Sequence, residues 1–215
     1  AADASLSGSA LVVWAVKPQL FNEAAAPAAA FVAGALQLSV MAGIRCSAIM
    51  RTTGATRIVR SMPNTPALIG RGIAGLFATP EVQAEQRALV EQVLQPTGQL
   101  MWLPQEADLD AVTALSGSGP AYVFYFVEAM MAAATEMGLT AEQGKRLALA
   151  TFDGAAALAA QSDEPPSVLR ERVTSKGGTT YAALQSMQAD GVAPALVKAV
   201  RAAQRRAAEL GDEFG

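Results

Sequence analysis

The 215-residue chain contains no histidine and a single cysteine, Cys46. Without imidazole it lacks the commonest general acid or base, the commonest zinc ligand, and every Ser-His or Cys-His nucleophile. Any chemistry must use hydroxyls, backbone amides, lysine or carboxylates. One thiol excludes an intramolecular disulfide and a cysteine-rich metal site, so no metal is expected. It also suits a reducing compartment, which makes the cytoplasm the expected location. Cys46 follows an Ala42-Gly43 turn with no second thiol and no histidine to activate it, and a structural role is expected for it.

Basic residues are in the minority, 16 Lys and Arg against 19 Asp and Glu, for a net charge of -3. Such a balance gives no footprint for nucleic acid. Long apolar runs are missing too. The most apolar stretch, residues 121–137, is interrupted by Glu128 and Glu136 and falls short of the ~20 residues a membrane span needs. Residues 1–9 carry no positive segment ahead of an apolar run, so they do not read as a signal peptide. No nucleic-acid or membrane partner is expected. What the chain does have is 52% hydrophobic residues, enough to bury one large core or two modest ones.

The first half alternates short apolar runs with amphipathic segments. Residues 10–16 (Ala-Leu-Val-Val-Trp-Ala-Val) read as a parallel strand buried on both faces, ending at Lys17-Pro18. Pro18 opens a helix to about Ala30, residues 36–41 form a second strand closed by Ala42-Gly43, and residues 47–52 are helical. A third strand, 57–61, runs into Met62-Pro63-Asn64-Thr65-Pro66, where two prolines force a loop. Strands at 72–78 and 99–103 flank an amphipathic helix over 80–94. This alternation predicts a parallel or mixed α/β sheet whose turns line one carboxyl edge, the place where such sheets bind ligands.

Beyond Asp108 no strand-like run remains, which puts a domain boundary near residues 104–108 and divides the chain into 1–106 and 107–215. The second part is helical throughout. Gly117-Ser118-Gly119-Pro120 is expected to break its first helix, and 121–137 is apolar nearly all round, so protein must cover it on every side. Thr140 with Gln143 makes a capping box for a helix over 141–160. A short helix starts at Pro165-Pro166, another ends at Gly191, and Pro194 opens a last one to about Leu210.

Between two of these helices lies Val173-Thr174-Ser175-Lys176-Gly177-Gly178-Thr179-Thr180-Tyr181-Ala182-Ala183-Leu184. Gly177 and Gly178 allow a tight turn and a close backbone approach, and Thr179 or Thr180 can cap the following helix. Amides at such a helix start suit a carboxylate. Taken alone, the segment is ordinary Gly-Gly punctuation with a threonine cap.

Four fragments together carry a resemblance: Ala15-Val16-Lys17-Pro18-Gln19, Met62 to Pro66, Leu115-Ser116-Gly117-Ser118-Gly119-Pro120-Ala121, and Val173 to Thr180. In this order and spacing the chain resembles the pyrroline-5-carboxylate reductases over essentially its whole length. The resemblance implies an α/β Rossmann-type domain followed by an all-α dimerisation domain, assembled as homodimers and possibly decamers. It implies reduction of 1-pyrroline-5-carboxylate to L-proline, the last step of proline biosynthesis, with NADPH or NADH. Ala15, Lys17, Pro18, Ala42, Gly43 and Asn64 would then face the dinucleotide. Ser175, Gly177, Gly178 and Thr179 would hold the substrate carboxylate, and the Thr180 hydroxyl would bond the ring nitrogen. The segment from Ser116 to Pro120 is either a plain helix interruption or a further ligand contact.

The family's Gly-x-Gly-x-x-Gly strand-turn-helix, whose amides hold a pyrophosphate, is not found, and the chain is expected to open midway through the Rossmann domain, roughly 55 residues in. Two other functions compete. One is a related Rossmann-plus-helical imine or 2-hydroxyacid reductase, but such relatives use a lysine in a long helix and 121–137 has none. The other is a non-catalytic helical oligomerisation fragment.

Overall fold

A computed structural model describes residues 2–214. Five strands, β1 (Leu11–Trp14), β2 (Leu36–Ser39), β3 (Ile58–Met62), β4 (Gly72–Ala78) and β5 (Gly98–Trp102), form one sheet in sequence order. β1, β2 and β3 are mutually parallel, β4 runs antiparallel to β3, and β5 is parallel to β4. The reversal at β4 follows from the short Pro63-to-Arg71 connection, which holds only a 3-10 turn, Thr65–Ile69, instead of a crossover helix.

Adjacent residues of one strand serve opposite faces. Ile58 joins Trp14, Phe21, Val32, Met41 and Ile49 in a core on one face, beneath α1 (Phe21–Ala25), α2 (Ala29–Val32) and α3 (Cys46–Thr53). Val59 joins Leu36, Leu38, Leu76, Val90 and Leu94 on the other, beneath α4 (Ala84–Leu94). β2 is fully buried, and its one amide side chain is satisfied: Gln37 accepts from Trp14 Nε1 at 2.8 Å and donates to the Val32 and Ala35 carbonyls.

Two expectations are corrected on this sheet. β1 is not buried on both faces: among the described residues it pairs with β2 alone, and Val13 is 47% exposed. The helix expected from Pro18 to Ala30 is a series of short pieces, with 3-10 turns at Pro18–Leu20 and Ala26–Ala28, since Pro27 cannot donate to a continuous ladder. The letters Gly-x-Gly-x-x-Gly do occur, at Gly70 to Gly75, but they open a strand. There Gly72 and Gly98 let β4 and β5 start in backbone contact, and a Cβ at Gly75 would strike Val112, so these glycines serve packing.

After β5 the chain is helical: α5 (Asp108–Val112), α6 (Gly119–Glu136), α7 (Ala141–Ala160), α8 (Pro166–Arg172), α9 (Thr179–Ala189) and α10 (Val192–Phe214). The Thr140–Gln143 capping box is present in full at the start of α7. The expected break at Gly117-Pro120 falls at Ser118, which is non-helical just before α6. Residues Thr113–Gly117 widen into a π-helical turn, closed by Ser118 N–H donating to the Thr113 carbonyl at 2.8 Å. Pro120 falls in the first turn of α6, where an amide has no intrahelical acceptor anyway. The last helix likewise begins two residues before Pro194 and runs past Leu210.

The chain forms two compact units, one from residues up to Pro120 together with those from Val200 onward, the other Ala121–Ala199. This division falls inside α6 and inside α10; the last strand ends earlier, at Trp102, and the helices after it begin at Asp108. The outermost residues, Ala1 and Gly215, lie outside the described ones. In the second unit burial is sparse: Val127 and Ala134 of α6 and Ala148 of α7 are covered, and Gly144 packs directly on Ala134.

One polar junction holds the first unit together. Arg60 projects from β3 with its side chain 7% exposed and meets Glu106 at 2.7 Å. The same Glu106 oxygen accepts the Cys46 N–H at 2.7 Å, so a carboxylate caps the start of α3. Removing one member of a buried pair strands the other charge. Arg60 Nε already lacks a partner among the described residues. Glu106→Ala is therefore expected to lower stability by about 3 kcal/mol, and Arg60→Met combined with Glu106→Leu to recover most of that loss. Denaturant unfolding followed by tryptophan fluorescence checks both; equal losses in the single and double variants would contradict this account of the junction.

Candidate functional site

Because β1, β2 and β3 are parallel, their carboxyl ends fall on one edge, in the register Trp14, Ser39, Arg60. The segments leaving that edge carry all six residues expected to face a dinucleotide. Ala15 and Lys17 are exposed, and Lys17 precedes the Pro18 turn without a side-chain bond to it. Pro18, Ala42, Gly43 and Asn64 are half-buried. Gly43 has φ +76°, and a Cβ there would lie 3.3 Å from the Leu210 carbonyl oxygen, so both conformation and space call for glycine. Asn64 Oδ1 accepts the Ile73 N–H at 3.0 Å, tying the loop after β3 to the first residues of β4.

The segments that leave this edge carry small side chains and one cation. Ala15, Ala42 and Gly43 put nothing larger than a methyl group at two consecutive strand ends, and Lys17 places a cation beside them.

Ser175, Gly177, Gly178, Thr179 and Thr180 come together in the second unit, at the start of α9. Gly178 N–H donates to the Ser175 carbonyl at 3.0 Å across a turn in which Gly177 has φ +76°. A Cβ on Gly178 would lie 2.5 Å from Ser175 Oγ, so the turn closes over the serine only because the residue is glycine. Neither threonine is the cap. Gly178 occupies the N-cap position with no side-chain bond, and Thr179 and Thr180 are the first two helical residues. Thr179 or Thr180 as the cap is thus corrected: the glycine's extended backbone ends the turn one residue too early for either hydroxyl. The amides of Thr179, Thr180 and Tyr181 consequently lack intrahelical acceptors, and half-buried Thr180 keeps its hydroxyl for another partner.

A separate groove of about 740 Å³ lies between α8, α9 and the start of α10; its lining mixes Leu184, Met187 and Leu196 with Arg170, Gln185 and Gln188, and none of Ser175 to Thr180 lines it.

Three residues that the sequence did not single out shape this edge of the sheet. Glu106 and Arg60 fix the start of α3, and Glu106 takes the position at that helix terminus which a phosphate would otherwise occupy. Arg45 bonds the last turn of α10. A visible signal existed for Arg60, a charge inside the apolar run of β3, which a buried strand tolerates only with a partner. Cys46 is buried in the core, and its thiol is pushed far up, first by burial and then by Glu106, so it stays protonated and inert as expected. No cluster of metal-binding side chains occurs among the described residues.

Comparison with known proteins gives one consistent result. The family model described as pyrroline-5-carboxylate reductase dimerisation matches residues 106–210. A pyrroline-5-carboxylate reductase of Pseudomonas aeruginosa is 44% identical over 209 residues, 95% of this chain and 76% of that protein. One of Synechocystis is 36% identical over 203 residues, 94% of this chain and 76% of the relative. Among solved structures, the NADP-bound pyrroline carboxylate reductase of Plasmodium falciparum superposes with a TM-score of 0.88 at 29% identity, covering 96% of this chain and 79% of that one. The Coxiella burnetii pyrroline-5-carboxylate reductase gives 0.89 at 36% identity, covering 94% and 76%.

Proposed function

The chain belongs to the pyrroline-5-carboxylate reductase family, and we propose on that premise that it reduces 1-pyrroline-5-carboxylate to L-proline with NADPH or NADH. The observation in this molecule that carries the proposal is the uncapped start of α9 beside Thr180. A helix terminus with vacant amides accepts a carboxylate, and one hydroxyl beside it reaches a ring nitrogen. Those are the two polar features of the substrate.

Ser175, Gly177, Gly178 and Thr179 hold the carboxylate in this reading. The Thr180 hydroxyl orients the ring. On the first unit, Ala15, Lys17, Pro18, Ala42, Gly43 and Asn64 hold the dinucleotide, with residues 1–106 as its domain and 107–215 as the dimerisation and substrate domain. Bound in reduced form, the dinucleotide supplies the hydride that adds to the imine carbon. The nitrogen gains a proton from water or through Thr180, or enters the site already protonated. With no histidine in the chain, the protein contributes chiefly by fixing the ring in an attack geometry, which turns an encounter into an intramolecular step.

A second copy of the chain completes the fold. Phe124 and Tyr125 on α6 are 58% and 72% exposed, and Leu147 and Leu158 on α7 are uncovered as well. A patch of this kind marks an association surface. A dimer follows, as the matched dimerisation family suggests; further assembly to a decamer and a cytoplasmic location rest on the resemblance and on the single buried thiol. No helix among the described residues is long and apolar enough to cross a membrane. The competing 2-hydroxyacid or imine reductase has no catalytic lysine on α6 to support it. A purely structural oligomerisation fragment leaves the vacant amides of α9 without a purpose.

Light scattering at micromolar concentration should give at least twice the 22.1 kDa chain mass; a folded monomer would contradict the dimer. Thr180→Ala removes a hydrogen bond to a group that gains charge, and should lower kcat/KM roughly 10- to 150-fold. Thr180→Ser should lose much less. Since Thr180 caps nothing, the melting temperature should hardly move in either variant. Unchanged turnover in Thr180→Ala would remove this residue from the site.

A further inference from the structure

Arg45 does something that neither its neighbours nor the reaction requires of it. It stands just before α3, and its guanidinium reaches 166 residues along the chain to the end of α10, where Nε donates to the Gly211 carbonyl at 3.2 Å. Nη2 meets the Asp212 carboxylate at 2.9 Å and lies 3.5 Å from the Ala208 carbonyl. A cation on the last turn of a helix meets the negative end of its dipole and its unpaired carbonyls. Room for the guanidinium exists because residue 211 is glycine: a Cβ there would lie 2.7 Å from Nη2.

Two residues before Arg45, the same helical turn bears on the Ala42-Gly43 turn. The Gly43 backbone sits against Leu210, its absent Cβ 3.3 Å from the Leu210 oxygen and 3.4 Å from the Leu210 Cβ. Ile44, between the two contacts, is 2% exposed. The turn is thus held between the buried Ile44 and the end of α10, and Arg45 is the group that ties α10 there.

We propose that Arg45 is a positioning residue for dinucleotide binding, clamping the last turn of α10 behind Ala42-Gly43 so that the turn keeps the shape the dinucleotide needs. The proposal rests on the assignment of Ala42 and Gly43 to the dinucleotide site. The clamp acts on a turn that faces the dinucleotide, so its loss should weaken dinucleotide binding and spare the pyrroline.

The test is steady-state kinetics with NADPH and 1-pyrroline-5-carboxylate on four variants of the purified protein. Arg45→Ala should raise the KM for NADPH about tenfold, the effect of losing one charge-assisted hydrogen bond of anchoring, with kcat and the pyrroline KM within twofold. Arg45→Lys keeps the charge without the fork and should fall between. Gly211→Ala drives a methyl group into the guanidinium while improving helix propensity, so the NADPH KM should rise without any loss of helix content. That variant carries the test if Arg45→Ala does not fold. Ala42→Leu crowds the turn directly. If Ala42→Leu raises the NADPH KM while Arg45→Ala and Gly211→Ala do not, the clamp is overturned and the site assignment stands. If Ala42→Leu also leaves it unchanged, the site assignment falls and the clamp with it.

Discussion

The first unit depends on one carboxylate. Glu106 lies after the last strand, yet its side chain reaches back to the start of α3 and to the guanidinium that β3 turns inward. Without it the buried arginine would lose its ion pair at 2.7 Å, and α3 would begin with an unsatisfied amide. With it, the connection after β2 is pinned at Cys46. The preceding turn, Ala42-Gly43, then has few ways to move, and its remaining freedom is checked by Leu210 behind it. This edge of the sheet is held by paired polar groups beneath it, while Ala15, Ala42 and Gly43 keep it small.

The second unit follows the opposite logic. It has little core of its own and leaves large apolar side chains such as Phe124 and Tyr125 exposed. Its polar chemistry is concentrated in a few backbone amides and one hydroxyl at the start of α9. Such a site suits a reaction with little covalent demand on the protein. Imine reduction needs a hydride donor, a proton, and a ring held still, and a chain without histidine can provide the holding from backbone geometry alone.

Much of this was legible in the residues. The strand at 72–78 and the helix at 141–160 stand where their glycine, proline and capping signals put them. The residues expected to face a dinucleotide follow strand ends on one sheet edge because β1, β2 and β3 are parallel, as the alternation of runs implied. What failed to show has physical causes. The break within Gly117-Ser118-Gly119-Pro120 is present at Ser118, but local propensity says nothing of the wider π-helical turn, Thr113–Gly117, that leads into it. Thr179 and Thr180 look like caps because the sequence does not reveal which residue leaves the extended region first. Arg45 and Glu106 form their bonds with partners far along the chain, 167 and 60 residues for the longest contacts, and pairing over such distances leaves no periodic trace.

The most direct measurement of the central claim is product formation. Purified protein is given 1-pyrroline-5-carboxylate with NADPH, and separately with NADH, and L-proline is quantified beside the loss of reduced-nicotinamide absorbance. The account requires that at least one dinucleotide be oxidised mole for mole with L-proline formed, and that omission of the pyrroline abolish both. A folded dimer that oxidises neither dinucleotide and forms no L-proline would contradict it.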